Sequence, residues 1–470
     1  MLSFFRINDP FRLVGILVIL VLIRAVFFFQ VPPLLLPELN WLILGEKLGQ
    51  GATMYVEVWD KTAPLSALIY RGLYYFLGNS ILPYRILAML VIFIQSAFFN
   101  WVLIRKNVYN EKSYLPALFY VLFACSTFDM LILSPSLMSL TFLLLVFRNI
   151  LSLNEEAFDN EIFKTGIYLG IAILLYLPNF VFIIFIAIGF ALFRTASTRQ
   201  YLLFIYGISF IFSFFFIYYF WIGKLHFFFQ NFLSNIFDFN WVSYLSWKTI
   251  IAVMLLPSFF LIISLLRIFN ETSFINFQSN TQLLMLIWLA VALLSNVSAP
   301  NFGTYQLILL TPVFSLFVTY FFLLYRKKLL KEILFLAFIV LIGFNGYASG
   351  YPLGRLQNYI NYENLYVSKP KEFDISQQKI LVLGENLSYY HDNQLATPYL
   401  DWELSQAHFA YLDTYASMIA TYENLEKDLP EIIIDEVGFA EKLFSKISIL
   451  QKSYTKQGKF YFLKKEARKI

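Results

Sequence analysis

The 470 residues are 59% hydrophobic and only 14% charged, with a mean hydropathy of +0.66. A soluble domain carries about 25% charged residues, so composition excludes one and assigns a multi-span membrane protein. The net charge of +5 does not mark a nucleic-acid binder, because Lys and Arg fall in short clusters between apolar runs and not on one basic face.

The first apolar run, 13–36, follows Arg6 and Arg12. The positive-inside rule then puts the N-terminus in the cytoplasm. No small-residue cleavage site follows the run, so it is expected to be a retained span. Residues 37–78 form the longest polar interruption in the first third of the chain. Their apolar pieces, 39–48 and 63–77, are too short or interrupted to span. Pro37 before Glu38, then Gly49 and Gly51, give start and stop signals for one helix. Thr62 and Pro64 suit the N-cap and first turn of a second. Both helices are expected to lie at the outer interface.

Further spans are expected at 82–104, 115–133, 137–147 and 166–177 each with its flanks, 180–193, 201–221, 250–266, 283–298, 307–324 and 333–348. With the first run this makes about eleven crossings, each set by the thickness of the hydrocarbon core. Arg105, Lys106 and Lys112, then Arg194, Arg199 and Arg267, and finally Arg326, Lys327, Lys328 and Lys331 mark cytoplasmic ends. The C-terminus is thereby placed outside a cytoplasmic (inner) membrane. Residues 1–350 form the expected transmembrane domain. From about residue 351 the composition becomes that of a soluble domain. Short buried strands are expected at 379–384 and 431–435, helices at 404–424 and 438–448, and a closing hairpin from Tyr454. Residues 351–470 should thus make a small extracytoplasmic α/β domain, with 351–375 partly linker.

Ionisable groups beside a bilayer are costly and are commonly justified by function. Glu38 is the first candidate, as a general base or as a carboxylate binding a metal or an acceptor; the helix dipole equally favours a carboxylate at that place. Asp60 and Lys61 are next. An ammonium facing an interfacial cavity suits a phosphate, while an interfacial lysine also snorkels to headgroups. Tyr55 and Trp59 suit an aromatic belt. The single cysteine, Cys125, can make no intrachain disulfide. His226, His391 and His408 show no ligand spacing. No strong metal site is visible, the cofactor is unknown, and Walker, GxSxG and dinucleotide motifs are missing.

The order of these pieces resembles the GT-C superfamily of membrane glycosyltransferases, in the branch of protein O-mannosyltransferases and aminoarabinose transferases. The resemblance rests on Glu38, on Gly51-Ala52-Thr53-Met54-Tyr55-Val56-Glu57, and on Asp60-Lys61-Thr62-Ala63-Pro64-Leu65. Gly78 followed by Arg85, Tyr305 to Pro312, and the tail stretches 379–390 and 396–399 are also similar to that branch. It implies an all-α polytopic domain with a small C-terminal α/β domain, and sugar transfer from a polyprenyl-phosphate donor to an acceptor on the outer face. Glu38 would be the base and Lys61 the phosphate partner, with Tyr55, Asp60 and Tyr305 also binding substrate.

The sequence departs from that pattern at definite places. Leu39 and Asn40 follow Glu38 where a second acid is common, and Ser134-Pro135-Ser136 stands where the third span would carry another. Asp129 lies upstream and one turn deeper, and Thr304 takes the place of a histidine before Tyr305. Two readings follow besides the enzyme: a noncatalytic GT-C-fold subunit of an envelope or protein-export complex, and a transporter or flippase. The last is weakened by the scarcity of intramembrane charges and the lack of an internal repeat. Lipid-linked sugar, membrane lipid and a membrane protein complex are the expected partners.

Overall fold

The computed structural model describes residues 2–153, 158–194, 196–237, 242–270, 274–325, 327–351, 354–368, 376–396, 398–410, 412 and 414–464. Arg326, part of the mixed-charge segment after Arg148 and residues 369–375 of the expected linker lie outside these. The chain falls into two compact units.

The first unit comprises Met1–Pro32, Ile81–Tyr218 and Ile236–Leu365. Every expected span falls on a helix: Arg12–Phe29, Ile81–Arg105, Leu115–Ala124, Pro135–Leu151, Phe158–Leu175, Phe182–Phe193, Thr198–Trp221, Trp247–Phe269, Asn276–Val297, Thr311–Leu324 and Lys328–Gly350. Among the described residues, seven helical stretches are long and apolar enough to cross a membrane, with Leu115–Ala124, Pro135–Leu151 and Leu177–Phe193 as shorter apolar helices. Leu202, Ile205, Ile217, Leu255 and Val340 are exposed on the long helices. So much apolar surface would be a liability in water, but faces lipid without cost. The chain is a multi-pass integral membrane protein.

Several span boundaries differ from expectation, and two of the differences have a visible cause. The first helix stops at Phe29, not Leu36, because Pro32 and Pro33 lack the amide a helix needs and hold their predecessors extended. The third stops at Ala124 instead of continuing to Leu133. There the Asn345 amide donates to the Ser126 carbonyl at 2.9 Å, and a short 3-10 turn, Asp129–Leu131, follows. The core of this unit is aromatic. Trp288 meets Phe147, Phe182 and Phe185 edge-on, and its indole N–H donates to the Leu309 carbonyl at 2.8 Å. Gln95 is a buried polar group paired inside the bundle: it donates to Leu137 O and Thr141 Oγ1 and accepts from the Tyr120 hydroxyl. A two-residue parallel pair, β1 (Val242–Ser243) with β2 (Asn301–Phe302), completes it.

The second unit gathers Pro33–Ser80, Tyr219–Asn235 and Tyr366–Ile470. Its sheet contains β3 (Lys379–Leu383), β4 (Gln394–Leu395), β5 (Ile432–Asp435), β6 (Tyr454–Gln457) and β7 (Phe460–Leu463), in the order β4-β3-β5-β7-β6. The first three are parallel and β6–β7 is an antiparallel hairpin. Gly458, at φ +63°, makes the hairpin's tight turn. Residues 432–434 are buried throughout, which is why they read as an unbroken apolar run and not an alternating one. At the end of β5, the Asp435 carboxylate accepts from the amides of Val437, Gly438, Phe439 and Ala440. It thereby caps the helix Phe439–Lys446.

The single helix expected over 404–424 is two, Trp402–Ala410 and Tyr415–Lys427. Thr414 starts the second, its hydroxyl accepting from the Ser417 amide at 3.3 Å. The two short helices of the 37–78 stretch form as Leu36–Gly49 and Pro64–Leu77. They pack closely: a Cβ on Gly45 would stand 2.9 Å from the Tyr70 carbonyl, and Trp41 stacks on Tyr70 at 5.7 Å.

Candidate functional site

The turn between these two helices is built around Tyr55. Its backbone is left-handed, φ +65°, a conformation that disfavours a bulky side chain. Surrounding contacts hold it there. The Tyr55 amide donates to Val58 O at 2.8 Å, its carbonyl accepts from Asn231 at 2.9 Å, and its hydroxyl donates to Thr62 O at 2.7 Å. The ring is fully buried among Tyr219, Phe228 and Phe232, and burial holds the phenol well above its usual range. The Tyr55 ring is therefore packed in the interior and not placed in an aromatic belt.

Asp60 is 2% exposed. Its Oδ2 accepts from the Asn40 amide at 2.7 Å and its Oδ1 from the Thr62 backbone amide at 2.7 Å. The first bond ties the helix Leu36–Gly49 to the turn, and the second fixes the chain just before Pro64 opens the next helix. Lys61 follows, its ammonium 2.6 Å from the Glu403 carboxylate, with the lysine side chain 9% and the glutamate 47% exposed.

The partner of this turn is the segment 398–403. The Trp59 amide donates to Pro398 O at 2.8 Å, and the Asp401 amide donates to Trp59 O at 2.9 Å. Trp59 packs edge-on to Tyr399 and against His408, whose ring centroid is 4.4 Å away; burial lowers the His408 pKa. Farther along, Lys427 pairs with Glu57. Burial works against the Glu57 carboxylate, but the Lys427 ammonium and the Thr53 amide bring its pKa below the usual value.

Asp401 heads the helix Trp402–Ala410, its Oδ1 accepting from the Leu404 amide at 3.0 Å. Burial, then the negative charge of Asp60, raises its pKa to about 6, against the Leu404 amide and Lys61, which lower it. Asn40, Asp60, Lys61, Asp401 and Glu403 are thus gathered in one place. Three of these were not picked out as site residues in the sequence. Asp401-Trp402-Glu403 carries a local signal, an N-cap acid followed by a first-turn acid, but nothing local says what it faces.

Glu38 is placed differently. Its carboxylate accepts from the Leu35 amide at 3.2 Å, capping its own helix, and it is buried. Residues two apart on a helix point about 200° from each other, so Glu38 and Asn40 leave the helix on opposite sides. Tyr55, Asp60 and Lys61 are brought together, and Glu38 joins them through the backbone of its helix.

Tyr305 lies in the first unit, buried in the short helix Thr304–Leu310. Its neighbour Thr304 donates to Asp129 Oδ2 at 2.6 Å, and the same hydroxyl meets the Tyr362 hydroxyl at 2.9 Å. Asp129 is fully buried, and its Oδ1 has no hydrogen-bond partner among the described residues. Asp129 and Thr304 meet each other here. Ser134 caps the helix Pro135–Leu151, accepting from the Leu137 amide at 3.1 Å and meeting the Ser136 hydroxyl at 2.9 Å. Among the described residues no group of three His, Cys, Asp or Glu side chains could hold a metal ion.

No protein-family model and no curated protein matches this sequence. Solved structures do. Over 96% of this chain and 97% of the other, the structure is similar to ArnT from Cupriavidus metallidurans bound to undecaprenyl phosphate, at 11% identity and a TM-score of 0.51. The fold is GT-C-like. The oligosaccharyltransferase AglB from Archaeoglobus fulgidus, in complex with an inhibitory peptide and a dolichol-phosphate, aligns over 97% of this chain and 75% of its own at 11% identity and a TM-score of 0.47. An Archaeoglobus fulgidus oligosaccharyltransferase complex with zinc and sulfate aligns over 94% and 71% at 11% identity and 0.45. The GT-C-like fold was expected from the sequence, spans and C-terminal mixed sheet included.

Proposed function

We propose that this chain is a membrane glycosyltransferase that moves a sugar from a polyprenyl-phosphate donor to an acceptor on the outer face of the cytoplasmic membrane. The reading is carried by one observation, the near full-length likeness to a GT-C structure described as bound to undecaprenyl phosphate. The gathering of Asp60 and Lys61 in the polar turn supports it. In the proposed roles, Lys61 meets the lipid phosphate, leaving Glu403 as it does so, and Asp60 holds the turn that presents it. Glu38 is the proposed base. To act, its carboxylate must exchange the Leu35 amide for an acceptor hydroxyl, and a general base needs to come within hydrogen-bond reach of that proton. Tyr55 braces the turn from beneath, and Tyr305 is a proposed substrate contact.

The second reading, a noncatalytic GT-C-fold subunit of an envelope or export complex, is favoured by those same contacts. Glu38 is engaged as a cap and Lys61 as an ion pair, so both side chains have structural employment without chemistry.

The test is to express Glu38→Gln and Lys61→Ala in cells lacking the native chain and to follow lipid-linked and envelope glycans by mass spectrometry. Transferase activity predicts that each variant loses a glycan species the native chain restores. If both variants restore every species, the transferase reading falls. A stoichiometric membrane complex that the double variant still forms would then favour the subunit reading.

A further inference from the structure

The turn 398–403 contributes more than packing. Two main-chain bonds, Trp59 N–H to Pro398 O and Asp401 N–H to Trp59 O, lock it beside residues 59–61. This places one carboxylate at the head of the helix Trp402–Ala410 and a second, Glu403, in its first turn. Glu403 holds the Lys61 ammonium at 2.6 Å, while Asp401 is close enough to both Asp60 and Lys61 to feel their charges.

We propose that Asp401 is a positioning residue that sets, by its own protonation, the charge met by a phosphate arriving at Lys61. The inference rests on the reading of Lys61 as the phosphate partner. The groups facing Asp401 are Asp60 and Lys61 from the turn, Glu403 from its own helix, and the Leu404 amide. With Asp401 ionised, three carboxylates stand against one ammonium, a formal charge of −2; with Asp401 protonated it is −1. A carboxyl group made to titrate near pH 6 by burial and a neighbouring charge makes that change within the range a cell envelope experiences. Protonation removes a like charge from the approaching phosphate, and the pair Asp60–Asp401 avoids holding two like charges at once.

The variant Asp401→Asn imitates the protonated state and is built to fold. The Trp59–Asp401 bond uses the backbone, and asparagine is as good an N-cap as aspartate. The measurement is binding of undecaprenyl phosphate to the full chain in nanodiscs of neutral lipid, from pH 5.5 to 7.5. Because the phosphate itself titrates near pH 6, the quantity that decides is the ratio of the Asp401→Asn affinity to the native affinity at each pH. It should lie near unity at pH 5.5 and rise about three- to tenfold by pH 7.5, one pH unit of coupling being tenfold. Glu403→Gln, at an exposed position, should raise affinity at every pH and, by removing one charge that raises the Asp401 pKa, move the native pH dependence to lower pH.

Lys61→Ala separates the failures. If that variant binds as the native chain does, or if nothing binds at all, the phosphate reading of Lys61 falls and this inference with it. If Lys61→Ala loses binding while native and Asp401→Asn curves stay parallel, the phosphate reading stands and Asp401 has no such role.

Discussion

Two buried aspartates, Asp60 and Asp129, are handled in opposite ways. In the second unit both oxygens of Asp60 accept short hydrogen bonds, from Asn40 and Thr62, and a lysine follows it in sequence. In the helical unit Asp129 accepts from Thr304 through one oxygen, while the other has no hydrogen-bond partner among the described residues. A carboxylate in a membrane bundle is expensive unless paired, whereas one in a surface turn can organise backbone around itself. The turn spends its polar groups on holding two chain segments in register. The bundle leaves Asp129 incompletely used, and that is where substitution should be tolerated best.

The largest effect should come from the contact that joins the turn to the C-terminal segment. Trp59 is 4% exposed and lies against Tyr399 and His408. Trp59→Ala removes that packing and should destabilise the second unit by about 3–5 kcal/mol. Limited proteolysis of the detergent-solubilised chain should then cut within 376–464 while the helical unit stays intact. If protection of both units falls together, the division in two is wrong as a description of stability.

Next is Asp60→Ala. It leaves the Asn40 amide and the Thr62 amide without their acceptor in a buried place, a loss of about 1–3 kcal/mol. Denaturation of the second unit, followed by exposure of its tryptophans, would measure it. An unchanged transition would mean that water replaces the carboxylate and that the turn is held by backbone alone.

The pH dependence is a finer probe of the same turn. Asp401 has a pKa raised to about 6 in the folded chain, against about 3.9 unfolded. Between these values the folded state binds more protons, so this group's contribution is fully favourable below pH 4 and is lost as pH rises through 6. Glu57, with its lowered pKa, has the opposite sign and loses its contribution on acidification. The clean quantity is therefore the native stability minus that of Asp401→Asn. It should fall by on the order of 1–2 kcal/mol between pH 4.5 and 7.5. A flat difference would show that Asp401 is solvated enough to titrate normally.

Much of the fold was legible because bilayer thickness writes itself into sequence as long apolar runs, and because helix starts are marked by residues such as Pro37 and Pro64. The span ends were legible where basic residues mark them, as at Arg105 and after Leu324, whereas the end at Phe29 was placed too late despite Pro32 and Pro33. The third helix ends at Ala124 for a tertiary reason, the Asn345 amide across the bundle, which no local pattern encodes. The site was legible as residue types in one stretch, Glu38 to Lys61. Its partners Asp401 and Glu403 lie about 340 positions away in sequence, as the Lys61–Glu403 pair shows. Such pairing is decided by the Trp59 main-chain bonds, not by spacing. Ser134 shows the converse: a serine where an acid was expected is explained by the helix it caps.

The smallest effect is expected at Asp129, and it is the one that decides the comparison. Asp129→Asn keeps the shape, keeps an acceptor for the Thr304 hydroxyl, and removes a charge that no cation among the described residues offsets by an ion pair. Replacing a buried charge that lacks good pairing by a neutral group of the same volume is neutral or stabilising. The thermal transition of the helical unit should therefore move by less than the equivalent of about 1 kcal/mol, in either direction, and the Thr304–Tyr362 contact should persist. A loss of 3 kcal/mol or more, of the size seen on breaking a buried pair (about 3–5 kcal/mol), would mean that the open oxygen of Asp129 is engaged in the membrane by water or ligand. The bundle, and not only the turn, would then hold a polar site on which the fold depends.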